Sequence, residues 1–391
     1  MNHSLQTEEL FRLYRDLDDT AEEIAAIPSV KDFDEARYAA SQWRLMWRKF
    51  IRNKAAIVGG TVILLFYVTA LFANFIVPYT LSTRIRQRIH MKPQPVHFFD
   101  GGLAWPFVYD MELTIDPNTL RKFYAEDTSQ KYPLKFFIRG ESYKLFGLFE
   151  TDVHLFGVEG GAINLFGTDR QGRDMFTRTL LGSQISLTIG LIGVFLSLLF
   201  GTVLGISSGY YGGRTDDIIQ RVIELVRSFP SIPLWMALSA ALPPHWPPLW
   251  VYFAITLILS LIGWTWLARQ LRGKVLTLRN ADFVVAAKLA GAGNRRIIFK
   301  HLIPANMGHI IVVSTLAMPA MILAETALSF LGLGLRAPLT SWGVLLQESQ
   351  NIQTISLYPW LFIPAVFIAV AILAFNFMGD GLRDAADPYS R

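Results

Sequence analysis

The side chains able to do chemistry in this 391-residue chain are few, and most stand inside or beside apolar runs. Glu325 sits in LAMPAMILAETALSFLGL, residues 316–333, while Glu224 and Arg227 open another apolar stretch interrupted by Pro230 and Pro233. A charge at mid-membrane costs roughly 2.5–3.5 kcal/mol on insertion scales, so such groups face protein or water and find partners. A structural ion pair, or a helix-terminal place at the membrane boundary, would satisfy all three. Catalysis finds no set of groups here. There is no GxxxxGK[ST] to cradle ATP phosphates. The seven histidines show neither HExxH nor another close ligand cluster, and His301 and His309, eight apart across a proline, read as polar interface residues. Ser, His and Asp combinations fall on segments assigned to opposite membrane faces. Cysteine is absent, which removes thiolate and disulfide chemistry. No enzyme, cofactor or metal site is expected.

A second kind of chemistry, that of contact, is concentrated in FVVAAKLAGAGNRRIIFKHLIP, residues 283–304. Phe283, Ala286, Ala287, Ala290 and Gly291 precede an amphipathic run that ends at His301, Leu302, Ile303 and Pro304. Small residues on one helix face permit close approach to a partner. Gly291 breaks the helix, and Pro304 cannot continue one without distortion. The pattern predicts a short basic helix pair held between two apolar spans.

The elements that must position these residues are membrane helices. The chain is 52% apolar with 28 Phe and 10 Trp, and only 17% charged, too apolar and aromatic for an ordinary soluble domain of its length. Segments near 55–77, 185–208, 220–242, 249–268, 307–332 and 359–379 are each long enough for a hydrocarbon core of roughly 30 Å. The expected fold is therefore an all-α polytopic membrane protein with six transmembrane helices. Arg44, Arg48, Lys49, Arg52 and Lys54 precede the first span, and residues 269–300 hold eight Lys/Arg against one acid, Asp282. The positive-inside rule puts both stretches, and with six spans both termini, in the cytoplasm. The net charge of +5 follows from these loops, and no nucleic-acid-binding stripe is present. The first 40 residues are acidic and polar and show no signal-peptide pattern, so the first apolar span is expected to direct insertion.

The other segments differ in character. Residues 1–40 form an acidic N-terminal segment in which 6–26 has the spacing of an amphipathic helix, with Leu10, Leu13, Leu17 and Ile24 on one face. Residues 41–54, with Trp43, Met46, Trp47 and Phe50 at helical spacing among bases, predict an elbow helix in the inner membrane interface. The stretch 78–184 is too long for a structureless loop and carries several prolines. Its runs YPLKFFI (132–138) and SYKLFGLF (142–149), separated by Arg139-Gly140-Glu141, predict a hairpin in a small β-rich extracytoplasmic insertion. In GYYGGRTDD, Gly209, Gly212 and Gly213 permit a tight turn, with Asp216 or Asp217 capping the next helix. In GTDRQGRD, Asp169, Arg170, Arg173 and Asp174 predict an ion-paired clasp just outside the membrane.

Set in order, FGTDRQGRDMFTRTLLGSQISLTIG (166–190), GYYGGRTDDIIQRVIELVRSFPSIP (209–233), the 283–304 loop, ETALSFLGLG (325–334) with SWG (341–343), and FNFMGDGLRDAADP (375–388) resemble one family. It is the C-type permease of dipeptide, oligopeptide and nickel ABC importers. The resemblance covers roughly 41–77 and 165–391 and leaves 78–164 as an insertion. It departs at Val285, where the family's coupling loop has Glu, and at Pro304-Ala305-Asn306, where the family has Pro-Asn. The resemblance implies a core permease domain over 185–379, a cytoplasmic coupling loop over 269–306 and a cytoplasmic tail over 380–391. It implies ATPase contact through Phe283, Ala286, Ala287, Ala290, Gly291, His301 and Pro304. It also implies a place for Glu325, Glu224 and Arg227 beside the translocation pathway. The implied partners are a homologous B-type permease, two cytoplasmic ATP-binding subunits, an extracytoplasmic solute-binding protein and the lipid bilayer of a bacterial inner membrane. Peptides are the favoured substrate, with nickel, opines and sugars as the cargo of related systems. The alternative is a membrane channel or receptor scaffold that works without a motor.

Overall fold

The structure, a computed structural model, describes residues 42–115, 117 and 122–386. The acidic segment 1–40 with its expected helix over 6–26, and the last residues of the tail, lie outside the described residues. The chain begins with the amphipathic helix α1 (Gln42–Arg52), followed by α2 (Lys54–Leu71) and the single turn α3 (Ala73–Ile76). Asn53 caps α2 by accepting from the Ala56 N–H at 3.2 Å.

The insertion is a four-stranded antiparallel meander of β1 (His97–Phe99), β2 (Leu103–Ile115), β3 (Lys122–Leu145) and β4 (Phe149–Val158). The expected hairpin over 132–149 is displaced. YPLKFFI and the start of SYKLFGLF lie in the one long strand β3, and the reversal comes at Phe146-Gly147. Arg139-Gly140-Glu141 is a bulge in the ladder to β4. Gly140 there makes room for His154, whose Cδ2 would lie 2.8 Å from a Cβ at that position. β3 pairs with β2 as far as Phe107↔Pro133 and with β4 from Leu134↔Val158 onward, so Pro133, which has no N–H, stands where the strand changes partner. The sheet is fastened to the chain before it. Arg88 pairs with Asp110, and the Tyr124 hydroxyl donates to the Gln87 carbonyl at 2.9 Å.

Among the described residues, five helices are long and apolar enough to cross a membrane: α2, α4 (Met175–Tyr211), α7 (Pro248–Leu278), the run Asn294–Phe330, and the run Pro359–Ala386 that holds α13 (Ile363–Ala386). The segment expected as a third span is instead two helices, α5 (Gly213–Ser228) and α6 (Ser231–Ala240). Pro230 removes an N–H and drives the preceding Phe229 into extended backbone, which ends α5. Pro233 breaks nothing, because it stands in the first turn of α6, where the N–H would be unpaired anyway.

Residues 294–330 run as α9 (Asn294–Ile297), a π-helical turn (Ile298–Leu302) and α10 (Ile303–Phe330), preceded by α8 (Asp282–Leu289). Pro304 therefore does not end the helix. Its ring would crowd the carbonyl four residues back, and the wider π turn immediately before it absorbs that conflict. After α10 come the short α11 (Trp342–Leu346) and α12 (Ile352–Leu357) before α13. Other boundaries move too. α4 begins inside the expected insertion, α7 runs ten residues into the expected coupling loop, and α13 carries the expected tail to Ala386.

α4 packs along α7 and also against α10, and α13 closes the bundle against α2 and α10. The α4–α7 contact is close because Gly201, Gly205 and Gly209 face α7; a Cβ at Gly205 would lie 2.6 Å from the Ala268 carbonyl oxygen. The central core gathers Leu187, Ile255, Leu259, Ile322, Leu328, Trp342 and Phe375. A second core lies at the α8 end, with Ile206, Leu271, Val275, Val284, Ile297, Leu302 and Ile310.

Candidate functional site

The loop between α7 and α10 folds into a lever with two faces. Val284, Ile297 and Leu302 are fully buried against Ile206 of α4 and Leu271 and Val275 of α7. Burial of each such side chain contributes about 1.5–3 kcal/mol, so the inner face is firmly seated. The opposite face carries Phe283, Val285, Leu289 and Phe299 in the open, with Leu289 84% exposed. Ala286, Ala290 and Gly291 share this exposure, whereas Ala287 packs inward on the second core and belongs to the seat. Gly291 holds φ +77°, left-handed backbone that a side chain would strain. Phe283 and His301 meet, their rings 6.4 Å apart.

Polar bonds tie the lever to the bundle. The Tyr210 hydroxyl, at the end of α4, donates to Asn294 Oδ1 at 2.9 Å, and the Lys288 ammonium lies 5.4 Å from the Tyr210 ring centre. Asp216 does not cap α5 as expected. Its carboxylate accepts from Arg272 Nε at 2.6 Å and Nη2 at 2.5 Å, bracing the turn after α4 against α7.

Glu325 is 0% exposed. Its Oε1 accepts from Ser329 at 2.7 Å and from Ser341 at 2.6 Å, while Trp342, next in the chain, donates its N–H to Ser186 of α4 at 3.0 Å. The Trp342 indole N–H donates to the Thr179 carbonyl at 3.1 Å. ETALSFLGLG and SWG are thus one assembly: a carboxylate on α10 holding the start of α11, which plugs Trp342 against α4. Glu224 and Arg227 do not join it. Ile223 is the buried residue of α5, against Trp264 and Ala268, which turns its polar neighbours outward. Glu224 pairs with Arg221 at 3.0 Å and the Arg227 guanidinium lies 5.5 Å from the Trp266 ring centre. The three residues expected along one pathway stand apart: Glu325 is buried in the bundle, whereas Glu224 and Arg227 are exposed on α5.

Near the start of α4, Asp169 is fully buried and takes Arg173 Nε at 2.6 Å together with Arg178. Glu348 reaches Arg170 at 3.4 Å, which fastens the segment after α11 to the same knot. Burial, with the Asp169 charge nearby, pushes the Glu348 carboxyl above its ordinary value. Asp174 lies apart from the knot as the cap of α4. Between this clasp, the sheet and residues 332–350 opens a cleft of about 1480 Å³ with Thr83, Glu141, Gln184, Arg336 and Gln350 on its walls. Sequence spacing carries no sign of it, since its walls come from five separate segments. Among the described residues no group of His, Cys, Asp and Glu is placed to hold a metal.

The five long apolar helices of the described residues, closely packed and carrying a two-faced lever between α7 and α10, define a polytopic membrane protein of transporter type. Residues 201–391 match the family model of the binding-protein-dependent transport system inner membrane component, and residues 41–93 match that of the N-terminal TM domain of oligopeptide transport permease C. The chain is 43% identical over 227 residues to the oligopeptide transport system permease protein OppC of Bacillus subtilis (strain 168), covering 58% of this chain and 72% of that protein. It is 32% identical over 354 residues to the dipeptide transport system permease protein DppC of Lactococcus lactis subsp. cremoris (strain MG1363), covering 90% and 92%. It is 29% identical over 365 residues to the glutathione transport system permease protein GsiD of Pectobacterium atrosepticum, covering 93% and 96%. The chain belongs to the family of binding-protein-dependent transport system inner membrane components, as a C-type permease subunit of an ABC importer.

Proposed function

We propose that this chain forms one half of the translocation pathway of a peptide importer in a bacterial inner membrane. A homologous B-type permease forms the other half, two cytoplasmic ATP-binding subunits drive the pair, and an extracytoplasmic solute-binding protein delivers the cargo. The observation that carries this reading is the exposed apolar face of α8 and the π turn, Phe283, Val285, Leu289 and Phe299, on a lever whose other face is buried. Such a patch left in water is costly, and a partner that covers it gains that free energy. A channel without a motor leaves it uncovered. The substrate class comes from the relatives, whose names give oligopeptides, dipeptides and glutathione.

In this reading α1 lies in the inner interface, the lever and both termini face the cytoplasm, and the sheet lies outside. α5 and α6 together make a sixth crossing, broken at Pro230. The loop after α6 supports this, because the Pro244 carbonyl accepts from Arg336 at 3.3 Å, on the cleft side of the bundle. Closure of the ATPases would push α8, and α7 would carry the displacement through Leu271 and Val275 into the bundle. The shift can be no larger than the difference in binding free energy between the two states.

Gly291→Trp tests the lever. No atom lies within 4 Å of where a Cβ at Gly291 would stand, so the new ring projects outward and strains only the left-handed turn. Membrane insertion should survive, while ATPase association weakens and uptake falls by roughly tenfold, a loss of about 1.4 kcal/mol of contact. Unchanged association and uptake would remove the lever from the coupling path.

A further inference from the structure

We infer that the β3–β4 turn is a second membrane anchor, which dips Leu148 and Phe149 into the lipid headgroup region beside the end of α2. This rests on the chain being a membrane subunit, and goes beyond it by giving the insertion a partner of its own. α2 has 18 residues, about 27 Å at 1.5 Å per residue, and starts at the interfacial helix α1. Its far end therefore reaches the opposite edge of a hydrocarbon core roughly 30 Å thick. Phe72 and Phe75 follow immediately, at the depth where aromatic belts form.

Two residues of the insertion, one in the β3–β4 turn and one in β3, pack on those rings. Phe146 meets Phe72 edge-on at 5.5 Å, and Phe137 lies 6.2 Å from Phe75. Phe146 and Phe137 both adopt φ +54°, left-handed backbone that is uncommon for bulky side chains. An Asn or Gly at the turn would avoid that strain, so the fold accepts it to hold these rings against the end of the span. The reversal itself is short, with the Leu148 N–H donating to the Leu145 carbonyl at 3.0 Å.

The contact fixes the height of the turn, and what the turn exposes is apolar. Leu148 is 78% exposed, Phe149 66% and Phe137 67%. On the span itself, Leu64, Leu65, Val68 and Leu71 of α2 stand open as well. Lys144 and Glu150 flank the turn and keep their charges in the open. An apolar tip with a charged collar, level with the end of a span, fits the boundary between headgroups and acyl chains, where interfacial segments bury about 5–10 Å.

The absence of cysteine makes the test direct. Leu148→Cys, labelled with a polarity-sensitive fluorophore, is placed in the complete transporter, with cysteine-free partner subunits, in phospholipid nanodiscs. Lipids carrying a nitroxide near the headgroup should lower its emission about twofold or more, and aqueous iodide should have little effect. Leu64→Cys, mid-span on α2, should instead be quenched by a nitroxide deep in the acyl chain. If Leu64 responds and Leu148 is quenched by iodide alone, the turn stands in water and the anchor is refuted. If Leu148 is shielded from both quenchers, protein covers it, and the anchor is equally refuted. A Leu64 site that no lipid quencher reaches would overturn the placement of α2 and the anchor with it.

Discussion

Ser341 serves the buried carboxylate and the next helix at once. Its hydroxyl donates to Glu325 Oε1 at 2.6 Å and accepts from the Val344 N–H at 3.2 Å, capping α11. Ser341→Ala removes both bonds and should cost about 1–3 kcal/mol, read as a lower unfolding temperature of the purified protein. Glu325→Gln keeps the shape and one acceptor oxygen, so its loss should be smaller and should reduce uptake of every substrate alike, through the amount of folded subunit. Loss of one substrate's uptake with assembly intact would instead put Glu325 on the pathway. The unusual nature of Glu325 is legible in the sequence, because a carboxylate inside an apolar run always needs partners. The identity of those partners is not. Ser329 is one helical turn away, but Ser341 lies sixteen residues on, and a serine carries no spacing signal that marks it as a donor to one acid. The surroundings of Glu224 and Arg227 are hidden in the sequence for a related reason: residue type shows their charge, but which face of α5 is buried depends on Ile223 meeting Trp264.

At the scale of elements, the cap of α4 predicts a pH response. Asp174 accepts from the Thr177 N–H at 2.7 Å and from the Asn164 side-chain amide at 3.0 Å, and burial pushes its carboxyl up from 3.8 to about 6. The folded chain thus holds this proton more tightly than the unfolded chain does. The associated stability is complete below about pH 4 and is lost as pH rises through about 6. Asp174→Asn keeps a capping oxygen and cannot ionise, so its unfolding temperature should fall less than the wild type's between those pH values. Parallel curves for the two proteins would mean that Asp174 does not titrate in this window. The spans themselves are readable from apolar length, and the lever from its basic, glycine-broken pattern between two spans. The differences gather where two local rules compete. Pro304 has the signature of a stop, yet a π turn accommodates it; Pro230 and Pro233 look alike, although only the first terminates a helix and the second sits in the opening turn of the next. Gly140 looks like a reversal, but a bulge uses glycine for the same steric reason.

Across the whole molecule, the architecture turns on whether α5 and α6 carry the chain from one membrane face to the other. Their 16 and 10 residues span about 39 Å end to end at 1.5 Å per residue, enough for a core of roughly 30 Å even with a bend at Pro230. α5 starts beside the lever, at the Asp216–Arg272 brace, and α6 ends near Arg336 at the cleft. Ile218, Val222, Leu225, Phe229 and Ile232 stay exposed along the way, as lipid or a second permease would require. His245 in the loop after α6 and Leu289 on the lever should then lie on opposite sides of the membrane. Since the chain has no cysteine, His245→Cys and Leu289→Cys each give a single reporter. In intact spheroplasts a membrane-impermeant maleimide should label position 245, and should reach 289 only after permeabilisation. Labelling of position 289 in intact spheroplasts, with 245 reached only after permeabilisation, would mean that α5 and α6 return to the face they left. The protein would then be a five-span subunit, with α7 crossing in the opposite sense and the lever displaced from the ATPases.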